Sequence, residues 1–401
     1  MYLTSTDNQK KIPRYFHKVF QMVRKMNCGR VDFVLHDGRV FRAEGTKPGP
    51  VVQLDIHNND AFARLIREGD LGFSDAYLDG WWSTPDLQAF MDWIHTDNDI
   101  VRDGFPGMKF LQTYEKLRFW LQSNTKRQAK KNISYHYDLG NDFYTLWLDD
   151  TMTYSSGIFD TGQETMEAAQ IKKYETLINQ MRVNAGDHIL EIGCGWGGFA
   201  EYAAREKGLK VTGLTISQEQ LEFAKQRIKT EGLENYVELK LLDYRDENGK
   251  YDGIASIEMF EAVGEKYWPE YFKTIRNCLN PGKLATLQII TIEDNRWESY
   301  RKAPDFIQKY IFPGGMLPSP TVLHQEIEKA GLKFVKSVEF GDSYSQTLRR
   351  WFNDFNNVWS QITELGFDER FKRMWNFYLT SCAAAFKTGY TDVSQITISN
   401  K

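Results

Sequence analysis

The sequence predicts an α/β chain: a mostly parallel sheet covered by helices on both faces, with a smaller α+β module ahead of it. Three observations carry this expectation. From about residue 136 onward, short apolar runs alternate with segments of helical period, the order that parallel sheets require. One of those runs enters a turn holding four glycines in six positions and leaves it as a helix. Before residue 110 the pattern is instead a hairpin followed by helices.

In the first part, residues 1–110, Val31, Phe33 and Leu35 alternate up to His36-Asp37-Gly38, and Val40-Phe41 resumes the apolar run, a hairpin signal. Residues 51–56 read as another strand. Residues 59–68 and 85–95 read as helices, with Ser83 and Thr84 as caps for the second. Residues 111–135 differ in composition. Between Lys116 and Lys131 lie six basic residues and no acidic one, with Phe119, Trp120 and Leu121 among them. Such a segment is either an exposed basic linker or a strip that lies on an anionic membrane surface, each Lys or Arg there contributing roughly 1 kcal/mol. The third part, 136–401, supplies strands at 189–192, 210–214, 237–242, 253–257 and 284–290, with helices at 198–207 and 218–231 between them.

With 41% hydrophobic and 26% charged residues, the chain has material for a sizeable core and lacks the composition of a disordered one. The 14% aromatic share suits either large aromatic cores or packing against something greasy. A net charge of −4 argues against a whole-protein nucleic-acid footprint, so no nucleic-acid partner is expected. Cys28, Cys194, Cys278 and Cys382 lie far apart, and none pairs with a His at metal-ligand spacing. Neither a metal site nor a disulfide framework is suggested, and a reducing compartment fits. The first residues carry Asp7, Lys10, Lys11 and Arg14 rather than an apolar signal segment. No apolar run approaches the roughly 20 residues that span a bilayer. The expectation is a cytoplasmic protein that meets lipid, if at all, from the inner surface of the membrane.

The strongest local signal is His188-Ile-Leu-Glu-Ile-Gly-Cys-Gly-Trp-Gly-Gly198. A strand leads into the glycines, which let backbone approach a ligand closely, and the following helix offers free N–H groups. Gly193, Gly195 and Gly198 by themselves satisfy the dinucleotide fingerprint, so a nicotinamide or flavin enzyme is an alternative. Two details weigh against it. Glu191 stands two residues before the first glycine, where a phosphate would be repelled but a cationic amino-acid ligand welcomed. The second strand ends in Leu214-Thr215-Ile216-Ser217, without the acidic residue that grips an NAD ribose. A carboxylate beside the turn suits S-adenosylmethionine, whose ammonium and sulfonium are both positive.

Seven segments in order now bear on the family: Tyr135-His-Tyr-Asp-Leu-Gly-Asn-Asp-Phe-Tyr144, Met152-Thr-Tyr-Ser-Ser-Gly-Ile-Phe159, residues 191–199, Gly213-Leu-Thr-Ile-Ser-Gln-Glu-Gln220, Asp243-Tyr-Arg-Asp246, Met259-Phe-Glu-Ala-Val-Gly264 and Tyr310-Ile-Phe-Pro-Gly-Gly-Met-Leu-Pro-Ser319. Through them the chain closely resembles the cyclopropane-fatty-acyl-phospholipid synthase family, which includes mycolic acid methyltransferases and fatty-acid C-methylases. The resemblance implies a seven-stranded, Rossmann-like class I methyltransferase fold with a smaller N-terminal α+β lipid-engaging domain. It implies that Tyr154, Ser155, Gly193 and Gly195 contact the methionine part of the cofactor, alongside Glu191. Thr215, Ile216 and Gln220 would hold the ribose region, and Tyr244 and Ile257 the adenine side. Tyr344 matches a tyrosine at the family's reaction centre, and His136 falls in the opening motif.

The implied reaction is methyl transfer to the cis double bond of an unsaturated acyl chain of a membrane phospholipid. It leaves positive charge on the neighbouring carbon, sheltered from solvent and stabilised by oxygens or aromatic faces. A base then removes a proton. Taking it from the new methyl closes a cyclopropane; taking it from a chain carbon leaves an alkene with a methyl or methylene branch. In ring-forming relatives the resemblance implies a bound bicarbonate as base, held by Cys, Glu, His, an Ile backbone and Tyr. Glu261, Ile290 and Tyr344 match, but the Cys position is Ser156, the His position Gln288, and Ala262 follows Glu261 where many relatives have His. Two readings stay open: a bicarbonate-assisted ring closure, and the favoured one, methylation without a ring, completed by a partner reductase. A homodimer is a further possibility. From another class, a silent lipid- and cofactor-binding protein remains an alternative. Cys194 is expected to be a packing residue, residues 313–320 a rigid loop near the lipid entrance, and Trp351, Phe352, Phe355, Val358, Trp359 and Ile362 one helix face in the core or along an acyl tunnel.

Overall fold

The computed structural model describes residues 2–96, 139–302 and 304–400. The basic segment 116–131 and His136 lie outside the described residues. The chain divides into two compact units. Segments Lys302–Ile311 and Gly366–Thr388, which a single cut near residue 110 leaves with the later part, belong to the first unit.

The first unit carries a four-stranded sheet of order β2-β1-β3-β4, with β1 Cys28–Val34, β2 Val40–Glu44, β3 Lys47–Ile56 and β4 Trp82–Ser83. The expected hairpin is present: β1 and β2 pair antiparallel across a turn in which Gly38 adopts φ 83°, a backbone that glycine takes without strain. Alternation puts Val31, Phe33 and Phe41 on the buried face. There Phe16 packs edge-on to Phe33 and Phe41 and close to Phe20 and Phe62. The helix expected to end at residue 68 runs on as Ala61–Leu78, bent at Gly69 (φ 67°, ψ −146°). The next helix, Leu87–Thr96, is capped by neither Ser83 nor Thr84. Asp86 accepts from the Ala89 backbone N–H at 2.9 Å, while Ser83 pairs with His57. Proximity decides it: a cap must sit immediately before the first helical residue.

The second unit is built on a seven-stranded sheet of order β10-β11-β9-β8-β5-β6-β7. Its strands are β5 His188–Ile192, β6 Lys210–Thr215, β7 Val237–Leu241, β8 Tyr251–Ile257, β9 Leu279–Ile292, β10 Leu332–Glu339 and β11 Thr391–Asn400. The strands from β5 to β9 pair in parallel, and β11 lies antiparallel between β9 and β10. The helices Gly198–Lys207 and Gln218–Thr230 fall where the sequence puts them, the second capped by the Ser217 hydroxyl. Leu177, Ile189, Ala200, Ala203, Val211 and Ala224 form the floor between sheet and helices, each at most 1% exposed. Parallel pairing brings the C-terminal ends of β5, β6, β8 and β9 to one edge, where ligands of such sheets bind. The expected face of 351–362 is split over two helices, Gly341–Asn357 and Trp359–Glu364. Trp351, Phe355 and Ile362 are buried, and Val358 is the break between them.

Replacing Asp86 with Ala is expected to lower stability by about 1 kcal/mol, whereas Ser83→Ala or Thr84→Ala shifts it by less than about half that. Chemical-denaturation midpoints of the three variants check the assignment.

Candidate active site

The strand β5 delivers Glu191 and then the turn. Gly193, Gly195 and Gly197 all have positive φ (85°, 50° and 83°), so the turn demands residues without a Cβ penalty. The turn is fastened by the Gly193 and Cys194 N–H groups, both donating to the Leu214 carbonyl of β6. At Gly198 an added Cβ would lie 2.6 Å from the Thr151 carbonyl, whereas at Gly195 it would meet nothing within 4 Å. One glycine is therefore demanded by packing and another faces open space. Cys194 is buried in the core, and burial drives its thiol well up, which fits the packing role expected of it.

Four ionisable groups gather at this edge, Glu191 and Lys173 buried and Glu258 and Glu261 half-buried. Glu191 is 3% exposed, and its Oε2 has no hydrogen-bonding partner among the described residues. Burial pushes its carboxyl up to about 8, against the pull of Lys173. Lys173, on helix Met166–Met181, is fully buried; its ammonium donates to Ser155 Oγ at 2.7 Å and to Gln170 Oε1 at 2.5 Å. Burial brings it down to about 7, although Glu258, Asp149 and Glu191 pull it the other way. Glu261 accepts from the Ile290 N–H at 2.6 Å through Oε1, and Oε2 has no partner among the described residues. Burial first, and then the neighbouring Glu258, push it up to about 8.

Glu258 holds these parts together. It follows the last residue of β8 with φ 48°, a left-handed backbone that costs a non-glycine residue about 1–2 kcal/mol. Its Oε1 accepts from the Ser156 N–H at 2.9 Å and the Gln288 amide at 2.8 Å, and its Oε2 from the Tyr344 hydroxyl at 2.5 Å. Burial still outweighs these donors and raises its pKa. Behind it runs a chain of buried amides. Gln395 donates to Gln288 Oε1 at 3.2 Å, Gln180 donates to Gln395 Oε1 at 2.7 Å, and the Thr397 hydroxyl donates to Gln180 Oε1 at 3.0 Å. Gln395 and Gln288 are direct register partners of β11 and β9.

The segment carrying Tyr154, Ser155 and Ser156 is clamped from two sides. Gln170 donates to the Ser155 carbonyl at 2.9 Å, while Thr347 and Ser343 accept from the Gly157 and Phe159 N–H groups. The Ser156 hydroxyl itself turns to the Gly157 carbonyl, 2.8 Å away. Tyr154 stacks on Trp351 at 5.1 Å and lies near Tyr144 and Trp147, an aromatic wall. Thr215 donates to Gln220 Oε1 at 3.0 Å and accepts from the Ser217 N–H, holding the end of β6 around Ile216. Tyr244 is half-buried in the short helix Tyr244–Asp246, edge-on to Tyr271, and Ile257 ends β8. The loop 313–320 is tied to the site, since Met316 N–H donates to the Glu261 carbonyl at 2.8 Å and Ile292 N–H to Pro318. The structure thus brings together Glu261, Gln288, Ile290, Ser156 and Tyr344, and sets Glu191, Gly193 and Gly195 beside Thr215. Sequence reasoning missed Glu258 and Lys173. A second glutamate three residues before Glu261, at a strand end, was the available signal for the first; the lysine carried none.

A seven-stranded sheet of this order, with a glycine turn leaving β5 beside a buried glutamate, defines an S-adenosylmethionine-dependent methyltransferase of class I. The particular family follows from comparison. The family model described as mycolic acid cyclopropane synthetase matches residues 124–396, and the chain belongs to that family. It is 37% identical over 375 residues to tuberculostearic acid methyltransferase UfaA1 of Mycobacterium tuberculosis, covering 90% of this chain and 87% of that protein. It is 34% identical over 356 residues to cyclopropane-fatty-acyl-phospholipid synthase of Escherichia coli, covering 86% and 87%. Among solved structures, mycolic acid cyclopropane synthase CmaA1 complexed with SAH and CTAB matches with a TM-score of 0.64 at 29% identity, covering 67% of this chain and 98% of that one. Family members modify lipid acyl chains. Among the described residues no helix is long and apolar enough to cross a membrane, and no group of three or more His, Cys, Asp or Glu is placed to hold a metal ion.

The buried groups make stability depend on pH. Folded Glu191 and Glu261 keep their protons up to about pH 8, against an ordinary value of 4.5. Between those limits the folded state holds more protons, so stability falls as pH rises and levels off above the upper one. Lys173 acts in the opposite sense: its folded value near 7 lies below the ordinary 10.5, so stability rises with pH across that window. Glu191→Gln is expected to flatten the fall between about pH 5 and 7 by up to one proton, roughly 1.4 kcal/mol per pH unit. Denaturant titrations at each pH measure the slope, and an unchanged slope removes Glu191 from the buried acids.

Proposed function

We propose that the chain transfers the methyl of S-adenosylmethionine to the cis double bond of an unsaturated fatty-acyl chain in a membrane phospholipid, giving a C-methylated chain without ring closure. The observation that carries the reading is Glu191. Its buried oxygen, without a partner among the described residues, lies beside a glycine turn with open space at Gly195, a fit for a ligand that brings positive charge. When bound, the cofactor supplies an electrophilic methyl on a positively charged sulfur. Tyr154, Ser155, Glu191, Gly193 and Gly195 would hold its methionine part, Thr215, Ile216 and Gln220 its ribose region, and Tyr244 and Ile257 its adenine.

The olefin is a weak nucleophile, so its neighbouring carbon becomes cationic as the new bond forms. Half-buried Tyr154, backed by the stacked ring of Trp351, would offer π density to that charge, and an apolar aromatic wall would limit capture by water. Bicarbonate fits poorly here. Of the groups proposed to hold it, the Ser156 and Ile290 N–H groups, the Gln288 amide and the Tyr344 hydroxyl already donate to Glu258 or Glu261. A second anion would face two carboxyls. The likeness extends to a protein named tuberculostearic acid methyltransferase and to one named cyclopropane-fatty-acyl-phospholipid synthase alike, so the preference for the branched product rests on the engaged donors around Glu258 and Glu261. A partner reductase acting on an unsaturated branch would complete a saturated one. Contact with the inner face of the membrane is assigned to the first unit and to the basic segment 116–131.

Purified protein, methyl-labelled cofactor and vesicles of defined unsaturated phospholipid test the reading: label is expected in the acyl chains, and the product NMR is expected to lack high-field cyclopropane protons. Absence of transfer to any unsaturated lipid ends it. S-adenosylhomocysteine should bind more tightly as pH rises toward about 8, because the ligand's ammonium favours ionised Glu191. Calorimetry with Glu191→Gln is expected to give at least about tenfold weaker binding and a flat pH profile.

A further inference from the structure

We infer that the carboxylate of Glu258 is the resident base of the reaction, a built-in oxyanion in place of an exogenous one; this rests on the methyl transfer proposed above. Three donors converge on it from three distant parts of the chain: the Ser156 N–H, the Gln288 amide and the Tyr344 hydroxyl. A carboxylate offers about four acceptor sites, so one stays available for an incoming proton.

Glu261 is the competing base, and the donors decide between them. Two carboxyls this close do not both ionise readily, and the one with more hydrogen bonds keeps the charge. Glu258 accepts from two side chains and a backbone N–H through both of its oxygens, whereas Glu261 accepts from backbone N–H groups alone and its Oε2 has no partner among the described residues. Glu258 is also the group held in a left-handed backbone, with φ 48°. A strained residue persists where its surroundings over-determine it, as functional groups are. The amides of Gln288, Gln395 and Gln180 fix the orientation of the acceptor from behind.

The olefin's π pair forms the carbon–carbon bond to the transferred methyl, and the carbon–sulfur pair stays on sulfur, which becomes neutral. The adjacent chain carbon is left cationic. Glu258 takes a proton from a carbon next to that cation, and the C–H pair becomes the new π bond. The product is an alkene bearing the branch, and Glu258 is left as the neutral acid, which returns its proton to solvent before the next turnover.

Dissolved bicarbonate supplies the first test on the unaltered enzyme. Rates of label transfer in buffer purged of carbon dioxide and in buffer with added bicarbonate are expected to agree within about twofold; a tenfold drop on purging overturns the assignment. Glu258→Gln is expected to lose about 10²–10⁴-fold in kcat while holding S-adenosylhomocysteine within about threefold of the parent. A variant within about fivefold of the parent rate overturns it. Glu258→Gly relieves the left-handed backbone and frees the three donors, so added formate or bicarbonate is expected to restore at least tenfold of its rate. Failure of both anions to do so, with S-adenosylhomocysteine still bound, leaves Glu258 a structural residue and sinks the assignment. The bicarbonate comparison stands even if neither variant folds. An unaltered enzyme inert with and without bicarbonate rejects the methyl transfer itself and this assignment with it; transfer that needs bicarbonate rejects only the assignment.

Discussion

A carboxylate buried at the end of β8 has to be satisfied, and the second unit is arranged around that requirement. Left without donors, Glu258 would cost several kcal/mol. Its partners come from a loop more than a hundred residues earlier, from the next strand and from a C-terminal helix. Each of those segments is in turn pinned: the loop by Gln170, Ser343 and Thr347, the strand by Gln395, the helix by the packing of Trp351 and Phe355. β8 and β9 are already paired in the sheet, and this one side chain ties the loop at Ser156 and helix Gly341–Asn357 to their ends.

The same edge carries more acid than base. Three glutamates and one lysine share this region, and burial is the largest influence on the pKa of each. In the proposed reading, positive charge in a ligand or a reacting carbon would favour ionisation of acids that burial otherwise keeps protonated. In the function proposed above, glycine geometry and acid placement serve one purpose: the turn leaves space at Gly195, and Glu191 favours a ligand that brings positive charge.

Much of the scaffold was legible in the linear chain. The β5 strand, the glycine turn, both following helices and β6 through β8 fell within a residue or two of their expected limits, since period and caps are local properties. The misses have physical causes. The helix from Ala61 passes through Gly69 because tertiary packing tolerates a kink there; the run 351–362 breaks at Val358 although its apolar spacing is continuous; and Asp86 displaced the nearer-looking hydroxyls as a cap. Among the candidate site residues, the positions of Glu191 and the glycines were readable because strand, turn and helix are contiguous.

The sequence by itself determined the order of elements, the glycine turn with its flanking acid, and the family to which seven short segments point. Only the tertiary structure decided which acid collects the donors. Glu258 and Glu261 are three residues apart and look alike in the chain, but β9 and β11 pair so that Gln395 backs Gln288, and Tyr344 arrives from a helix after β10. Lys173 likewise reads as an ordinary helix lysine until Ser155 and Gln170 close over it. Local periodicity encodes which face of an element is buried, whereas the partner a buried polar group meets depends on contacts between residues a hundred or more positions apart.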